Sequence, residues 1–116
     1  MTFVELPLFT QQITRLVDDE VYLRFQLELL RRPEQGDVIQ HSGGLRKARM
    51  ALAGRGKRGG ARVIYLHLPH SDVIVLFYAY TKAASENLTG DQLRRLRAAA
   101  ALIKQEFRHE ANRDRV

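Results

Sequence analysis

Four residues between positions 57 and 82 carry side chains that can bind a phosphate and move protons around it. They are Lys57, Arg62, Tyr80 and Lys82. A predicted hairpin, turning at residues 69–72, brings Arg62 near the start of one strand beside Tyr80 and Lys82 at the end of the next. Three cations and a phenol around one phosphate could cleave RNA without a metal: one group helps deprotonate the 2′-hydroxyl, one stabilises the phosphorane and one protonates the leaving 5′ oxygen. Phosphate binding without chemistry explains the same residues equally well, and both interpretations stay open.

The segment between Asp37 and Asp72 contains no acidic residue and carries seven cations. Uncompensated cations repel one another unless an anion shares their surface, and polyphosphates bind such surfaces through counterion release. We therefore predict a nucleic-acid interface, with a solvated basic face as the alternative. Besides Lys57 and Arg62, its predicted RNA-binding residues are Arg46, Lys47, Arg49, Arg55 and Arg58.

The run Gly54-Arg55-Gly56-Lys57-Arg58-Gly59 formally matches the G-x-G-x-x-G fingerprint. That fingerprint binds a dinucleotide only where it ends a strand and opens a helix. Here it leads into a predicted strand, and no Ser or Thr follows Lys57 as a P-loop requires. We interpret 54–60 as a loop whose glycines and cations approach a phosphate backbone closely.

His67, His70 and Asp72 are close in sequence and invite a metal hypothesis. No further ligand is evident, so an ordinary turn is the favoured interpretation. We expect no metal and no cofactor.

Length and composition favour one domain over residues 1–116, with a frayed polar tail over about 109–116. The apolar fraction is 45%, enough for a core, and there is no Cys for a disulfide or a thiolate site. The longest apolar run is too short to cross a bilayer and the N-terminus does not resemble a signal peptide. We expect a cytoplasmic protein with no membrane partner.

The periodicity predicts an α+β fold. Residues 2–6 form a short edge strand, and two helices follow as a hairpin, the second capped near Asp18 and stopped by Pro33. Strands are predicted over 37–40, 45–52, 61–68 and 73–80, with the last as the central one. Thr89 and Gln92 form a capping box for a C-terminal helix.

The motif Pro33-Glu34-Gln35-Gly36-Asp37-Val38-Ile39, then Gly43-Gly44-Leu45-Arg46-Lys47, then the run from Gly54 to Tyr65, resembles the HigB-like branch of the RelE/ParE toxin superfamily. The likeness extends over about residues 3–107. It implies an antiparallel sheet with an N-terminal helical hairpin and a C-terminal helix, in agreement with the predicted order of elements.

The resemblance also implies a function. RelE-like members are toxins of type II toxin-antitoxin systems that cleave mRNA on the ribosome, and HigB-type antitoxins usually carry a helix-turn-helix domain. By that resemblance Arg62 stabilises transition-state charge, Lys57 transfers protons and Lys82 matches the late basic position. Tyr80 substitutes for a tyrosine that RelE has beyond this point.

Two other functions are compatible with parts of the sequence. A ParE-like toxin would have the same fold and bind DNA gyrase without cutting RNA. A DNA-binding antitoxin would need a helix-turn-helix, and the late helix has no partner helix in position. A cluster of cations at one sheet edge favours the nuclease.

Overall fold

The computed structural model describes residues 1–52, 56–82 and 87–113, with backbone alone for 56–59 and 111–113. Three helices flank a five-stranded sheet in the order β1-β5-β4-β3-β2. The elements are β1 (Thr2–Glu5), α1 (Pro7–Leu16), α2 (Asp19–Arg31), β2 (Asp37–Val38), β3 (Arg46–Leu52), β4 (Gly56–Leu68), β5 (Val73–Thr81) and α3 (Gly90–Arg113). The predicted α+β class and the helices at both ends are confirmed.

Local signals set the ends of the helices. Pro7 begins α1, where its missing N–H costs nothing. The Asp18 carboxylate accepts the Val21 N–H at 2.9 Å and caps α2. The Thr89 hydroxyl accepts the Gln92 N–H, and the Gln92 side chain accepts the Thr89 N–H, so the predicted capping box is present.

The sheet is mostly antiparallel, as predicted, with one parallel pairing that was not expected. Its edge strand β1 pairs parallel with β5, while the other three pairings are antiparallel. Parallel neighbours need a long connection, and the chain joins β1 to β5 through the helical hairpin and strands β2 to β4. Glu5 at the end of β1 accepts hydrogen bonds from the Tyr22 and Thr10 hydroxyls, both at 2.7 Å, and so ties the strand to both helices.

Two apolar cores lie on opposite faces of the sheet. The hairpin-side core packs α1 and α2 against one face, with Phe9, Phe25 and Leu29 fully or almost fully buried. The α3-side core packs α3 against the other face, around residues such as Ile64 and Ala100. Alternation along the strands therefore decides which layer each side chain joins.

A β-bulge in β5 changes that alternation. Ile64 pairs with Tyr78, but Tyr65 pairs with Leu76, so Phe77 is the extra residue. Phe77 and Tyr78 both belong to the α3-side core. Beyond the bulge, Tyr80 keeps to the α3 side while Ala79 joins the hairpin side. The bulge thus sets which face Tyr80 occupies.

Two predictions about the sheet were wrong. The segment 56–60, interpreted as a loop, is the first part of β4, because β3 continues pairing as far as Leu52 with Gly56. β4, not β5, is the middle strand, although β5 is an interior strand buried on both faces, as its apolar sequence indicated. The backbone of α3 continues to Arg113, and the frayed tail expected over about 109–116 stays a prediction.

In the ranges that the structure describes, every helix is too short or too polar to cross a membrane.

Candidate nucleic-acid interface

The basic site lies on the α3 face of the sheet, where three side chains occupy adjacent register positions. Arg49 on β3 pairs with Arg62 on β4, and Arg62 pairs with Tyr80 on β5. Residues opposite one another in antiparallel strands point to the same face, with Cβ atoms about 4.5–5.5 Å apart. Arg49 is exposed and Arg62 half-buried. Two guanidinium side chains therefore start from neighbouring positions on one face.

Lys82 follows Tyr80 by two residues and lies next to the same group of side chains. Its backbone N–H donates to the Gly60 carbonyl at 3.4 Å, two residues before Arg62 on β4, and its side chain is exposed. Lys57 and Arg58 lie on the first part of β4, where the structure describes the backbone alone. Arg55 lies outside the described residues. We call Arg49, Arg62, Tyr80 and Lys82 the cross-strand basic site.

Tyr80 is the buried residue of this site. Its side chain is only 6% exposed, and its hydroxyl has no hydrogen-bond partner among the described residues. Burial raises the pKa of Tyr80, and the nearby Arg62 guanidinium opposes that rise. The phenol therefore stays protonated near neutral pH and can donate a hydrogen bond, but it cannot act there as a base.

Arg62 was predicted to lie near the start of a strand. It lies instead in the middle of the 13-residue β4. Its guanidinium Nη1 donates to the Ala61 carbonyl at 3.3 Å. A strand paired on both sides fixes the backbone of this residue more firmly than a strand end would. Both the backbone and the guanidinium group of Arg62 are thus held in place.

Lys47 continues the basic row toward the sheet edge. It pairs with Asp37 on β2, so an acidic residue faces it directly. Lys47 and Arg49 line a shallow cavity of about 180 Å³ together with Gln35, Asp37 and Ala48. The opposite charge at Asp37 makes Lys47 a weaker centre for an anion than the Arg49–Arg62 pair.

Arg46 points to the opposite face, because side chains alternate along β3. Its guanidinium donates to the Gly36 carbonyl at 2.8 Å and to the Glu34 carbonyl at 3.2 Å. The Tyr65 hydroxyl donates to the Pro33 carbonyl at 2.8 Å and accepts the Gly36 N–H at 3.0 Å. Arg46 therefore holds the turn between α2 and β2, away from the cross-strand basic site.

His67 and Asp72, two residues of the metal hypothesis, have different partners. His67 Nδ1 lies 3.5 Å from Glu34, while the Asp72 carboxylate lies 2.8 Å from the Met1 amino nitrogen. Over the described ranges, no three His, Cys, Asp or Glu side chains come together as metal ligands.

The sequence indicated the site residues but not their arrangement. The hairpin prediction correctly placed Arg62 beside Tyr80 and Lys82. It did not reveal that Arg49 faces Arg62, because 56–60 was interpreted as a loop and the β3–β4 register was left undefined. Counting back from the Leu52–Gly56 pair would place Gly59 opposite Arg49. The register shift between Met50 and Leu52 brings Arg62 there instead, and the sequence does not reveal that shift.

These features define an α+β protein whose sheet presents clustered cations and a protonated phenol on one face, an arrangement suited to a polyanionic partner. The family described as "RelE toxin of RelE / RelB toxin-antitoxin system" matches residues 24–113. The match covers more than half of the 116 residues, from α2 through α3. The chain belongs to the RelE toxin family, and such a toxin has a cognate antitoxin as its partner.

Proposed function

We propose that this chain is a ribosome-dependent endoribonuclease of the HigB-like branch, which cleaves mRNA in the cytoplasm by metal-independent acid–base chemistry. The observation that carries the proposal is the Arg49–Arg62 pair across β3 and β4, beside the protonated Tyr80. Like charges directly opposite one another destabilise a sheet. An anion that bridges them offsets this repulsion, and a backbone phosphate fits between two guanidinium groups.

The cleavage reaction follows from the groups available. The 2′ oxygen attacks the adjacent phosphorus, the bond to the 5′ oxygen breaks, and the products are a 2′,3′-cyclic phosphate and a 5′-hydroxyl. The proton leaving the 2′-hydroxyl passes to a base and the 5′ oxygen receives one from an acid. Arg62 stabilises the charge that develops on the phosphorane, and Lys57 and Lys82 are the candidates for proton transfer.

Ribosome dependence is part of the proposal because the site offers cations and a protonated phenol, and no carboxylate or imidazole among its residues to act as a general base on an unrestrained RNA strand. A ribosome that holds the mRNA in an in-line geometry supplies much of the rate through orientation.

The test is a cleavage assay with purified chain, an mRNA and stalled ribosomes, with 3′ ends mapped at nucleotide resolution. We expect cuts at translated codons with ribosomes present and an intact transcript without them. Rapid specific cutting of naked mRNA contradicts ribosome dependence. Intact mRNA in both reactions, together with inhibition of DNA supercoiling, identifies the gyrase-binding alternative.

The antitoxin is proposed to carry a helix-turn-helix domain and an acidic segment that covers the basic site. Complementary charge both blocks the site and speeds association. Induction of this chain alone should arrest growth and deplete translated mRNA, and co-expression of the neighbouring gene should relieve both. Normal growth at high verified expression contradicts the toxin activity, and a complex that leaves Arg55, Lys57, Arg62 and Lys82 open to solvent contradicts direct masking.

A further inference from the structure

The outer face of α2 carries a stripe of exposed leucines. Leu23, Leu27 and Leu30 are 55%, 50% and 42% exposed. Their spacing places them on one side of the helix, one above the other. We call these three residues the α2 leucine stripe.

The same helix is already apolar on its inner side. Phe25 and Leu29 are almost completely buried in the hairpin-side core. A surface helix normally presents polar residues opposite its buried face, and a helix that is apolar on both sides is usually covered on both. The α2 leucine stripe is therefore a surface that the folded chain leaves without a cover.

The charges around the stripe argue against a nucleic acid and for a nearly neutral partner. The chain has a net charge of +6, yet the segment from residue 18 to residue 32 holds four acidic and three basic side chains. α2 also packs on the sheet face opposite the cross-strand basic site. This is a region of the molecule where a second copy can approach without strong repulsion.

The distribution of these charges selects an antiparallel arrangement of two copies. Asp19 and Glu20 occupy the first turn of α2, while Arg31 lies in its last turn and Arg32 is the C-cap residue. In an antiparallel pair each acidic end meets a basic end and the helix dipoles oppose one another, whereas a parallel pair places like charges together. Glu20 and Arg31 are about three turns apart, on the same flank of the stripe. A two-fold axis perpendicular to the helices brings like flanks together, so Glu20 of one copy faces Arg31 of the other.

We propose that the α2 leucine stripe pairs with its own copy in an antiparallel, two-fold symmetric dimer. The contact is short, since a 13-residue helix spans only about 20 Å. Such an interface is well below the standard size for a stable complex, so the dimer forms reversibly as concentration rises. Both cross-strand basic sites face away from the contact, and dimerisation leaves them open.

Sedimentation equilibrium of the purified chain, freed of its antitoxin, tests the proposal. The mass should rise from 13.3 kDa toward twice that value with increasing concentration. Leu27→Lys should hold the chain at the monomer mass, because it places a charge in the stripe. Leu102→Lys is the matched control: Leu102 is 65% exposed on α3, on the other layer, and its substitution should leave the association unchanged.

A charge exchange tests the antiparallel orientation. Glu20→Arg and Arg31→Glu should each weaken the dimer, and the double variant should restore it. Because the sequence has no Cys, Leu27→Cys gives a single thiol that a short bismaleimide should cross-link between copies, while Leu102→Cys should not react in this way.

The remaining outcomes overturn the proposal. A monomer at every concentration does so, as does equal loss of the dimer in Leu27→Lys and Leu102→Lys. Loss of antitoxin binding in Leu27→Lys, with no dimer in the parent chain, assigns the stripe to the antitoxin instead. Circular dichroism of each variant shows that the fold is retained.

Discussion

At the scale of single residues, Arg62 has a position that suits stabilisation of charge better than binding alone. Its backbone lies in the middle strand of the sheet, its guanidinium donates to a neighbouring carbonyl and its register partner Tyr80 is buried beneath the same face. Preorganised donors stabilise a developing anion without reorganising at the moment of reaction. Arg49, exposed on the adjacent strand, is the residue best placed to share the same phosphate.

Arg62→Ala should abolish ribosome-dependent cleavage without harming the fold. Loss of one preorganised donor costs on the order of 10²–10³ in rate. Relief of the repulsion from Arg49 opposes the loss of the Arg62 hydrogen bond, so the free energy of unfolding should stay within about 0.5 kcal/mol of the parent value. Single-turnover cleavage on ribosomes and urea denaturation measure the two effects.

Two further variants test whether the loss of cleavage in Arg62→Ala depends on the guanidinium group and on its position. Arg62→Lys should recover activity only in part, because the planar fork that holds two phosphate oxygens is lost. Arg108→Ala removes the same charge from an exposed position on α3 and should cut at the parent rate. If Arg62→Ala cuts as fast as Arg108→Ala, Arg62 binds at most and has no catalytic role.

At the scale of elements, the turn between α2 and β2 depends on a close approach at Gly36. A Cβ atom there would lie 2.8 Å from the Lys47 carbonyl oxygen and 3.0 Å from a Tyr65 ring carbon. The first contact is with backbone in a paired strand, which cannot move aside cheaply. Gly36 is therefore required by space, with Arg46 and Tyr65 holding the turn around it.

Gly36→Ala should lower the free energy of unfolding by about 1–3 kcal/mol, because the turn or β3 must shift to admit the methyl group. Gly90→Ala at the start of α3 is the control, since a Cβ atom there would meet no other described part of the chain within 4 Å. That substitution should be neutral or slightly stabilising. Equal effects in urea denaturation would refute a packing role for Gly36.

Signals that act within a few residues allowed the helices to be predicted from the sequence, but a strand pairing between distant segments was missed. Asp18, Pro33 and the Thr89 capping box act within a few residues, so their helices could be placed from sequence. The parallel pairing of β1 with β5 joins distant segments, and no local pattern records it. The cross-strand basic site falls between these cases: its residue types stand out, but the Arg49–Arg62 register depends on where β4 begins.

At the scale of the whole molecule, two buried tyrosines and one half-buried tyrosine link stability to alkaline pH. Burial is the main cause that raises the pKa of Tyr22, Tyr65 and Tyr80, and for Tyr22 the hydrogen bond to Glu5 adds to it. In the unfolded chain these phenols ionise near pH 10. The unfolded state then loses protons that the folded state retains, so unfolding becomes easier as pH rises.

The free energy of unfolding should be insensitive to these tyrosines below about pH 9 and should fall progressively above about pH 10. Urea denaturation across this range measures the change. Tyr22→Phe should be less stable near neutral pH, by about 1.5 kcal/mol for a lost bond to a charged acceptor, and should show a shallower alkaline decline. An identical alkaline slope in both proteins would show that other groups control it.

The parallel pairing of β1 also orders the assembly of the chain in time. The first strand made during synthesis, Thr2–Glu5, finds its partner in Val73–Leu76 on the strand made last. Until β5 has left the ribosome, β1 has no strand to pair with and α1 lacks the strand against which it packs. Contacts this far apart in sequence are slow to form, because a long loop must close first. A nascent copy therefore cannot complete its sheet while most of it is still being translated.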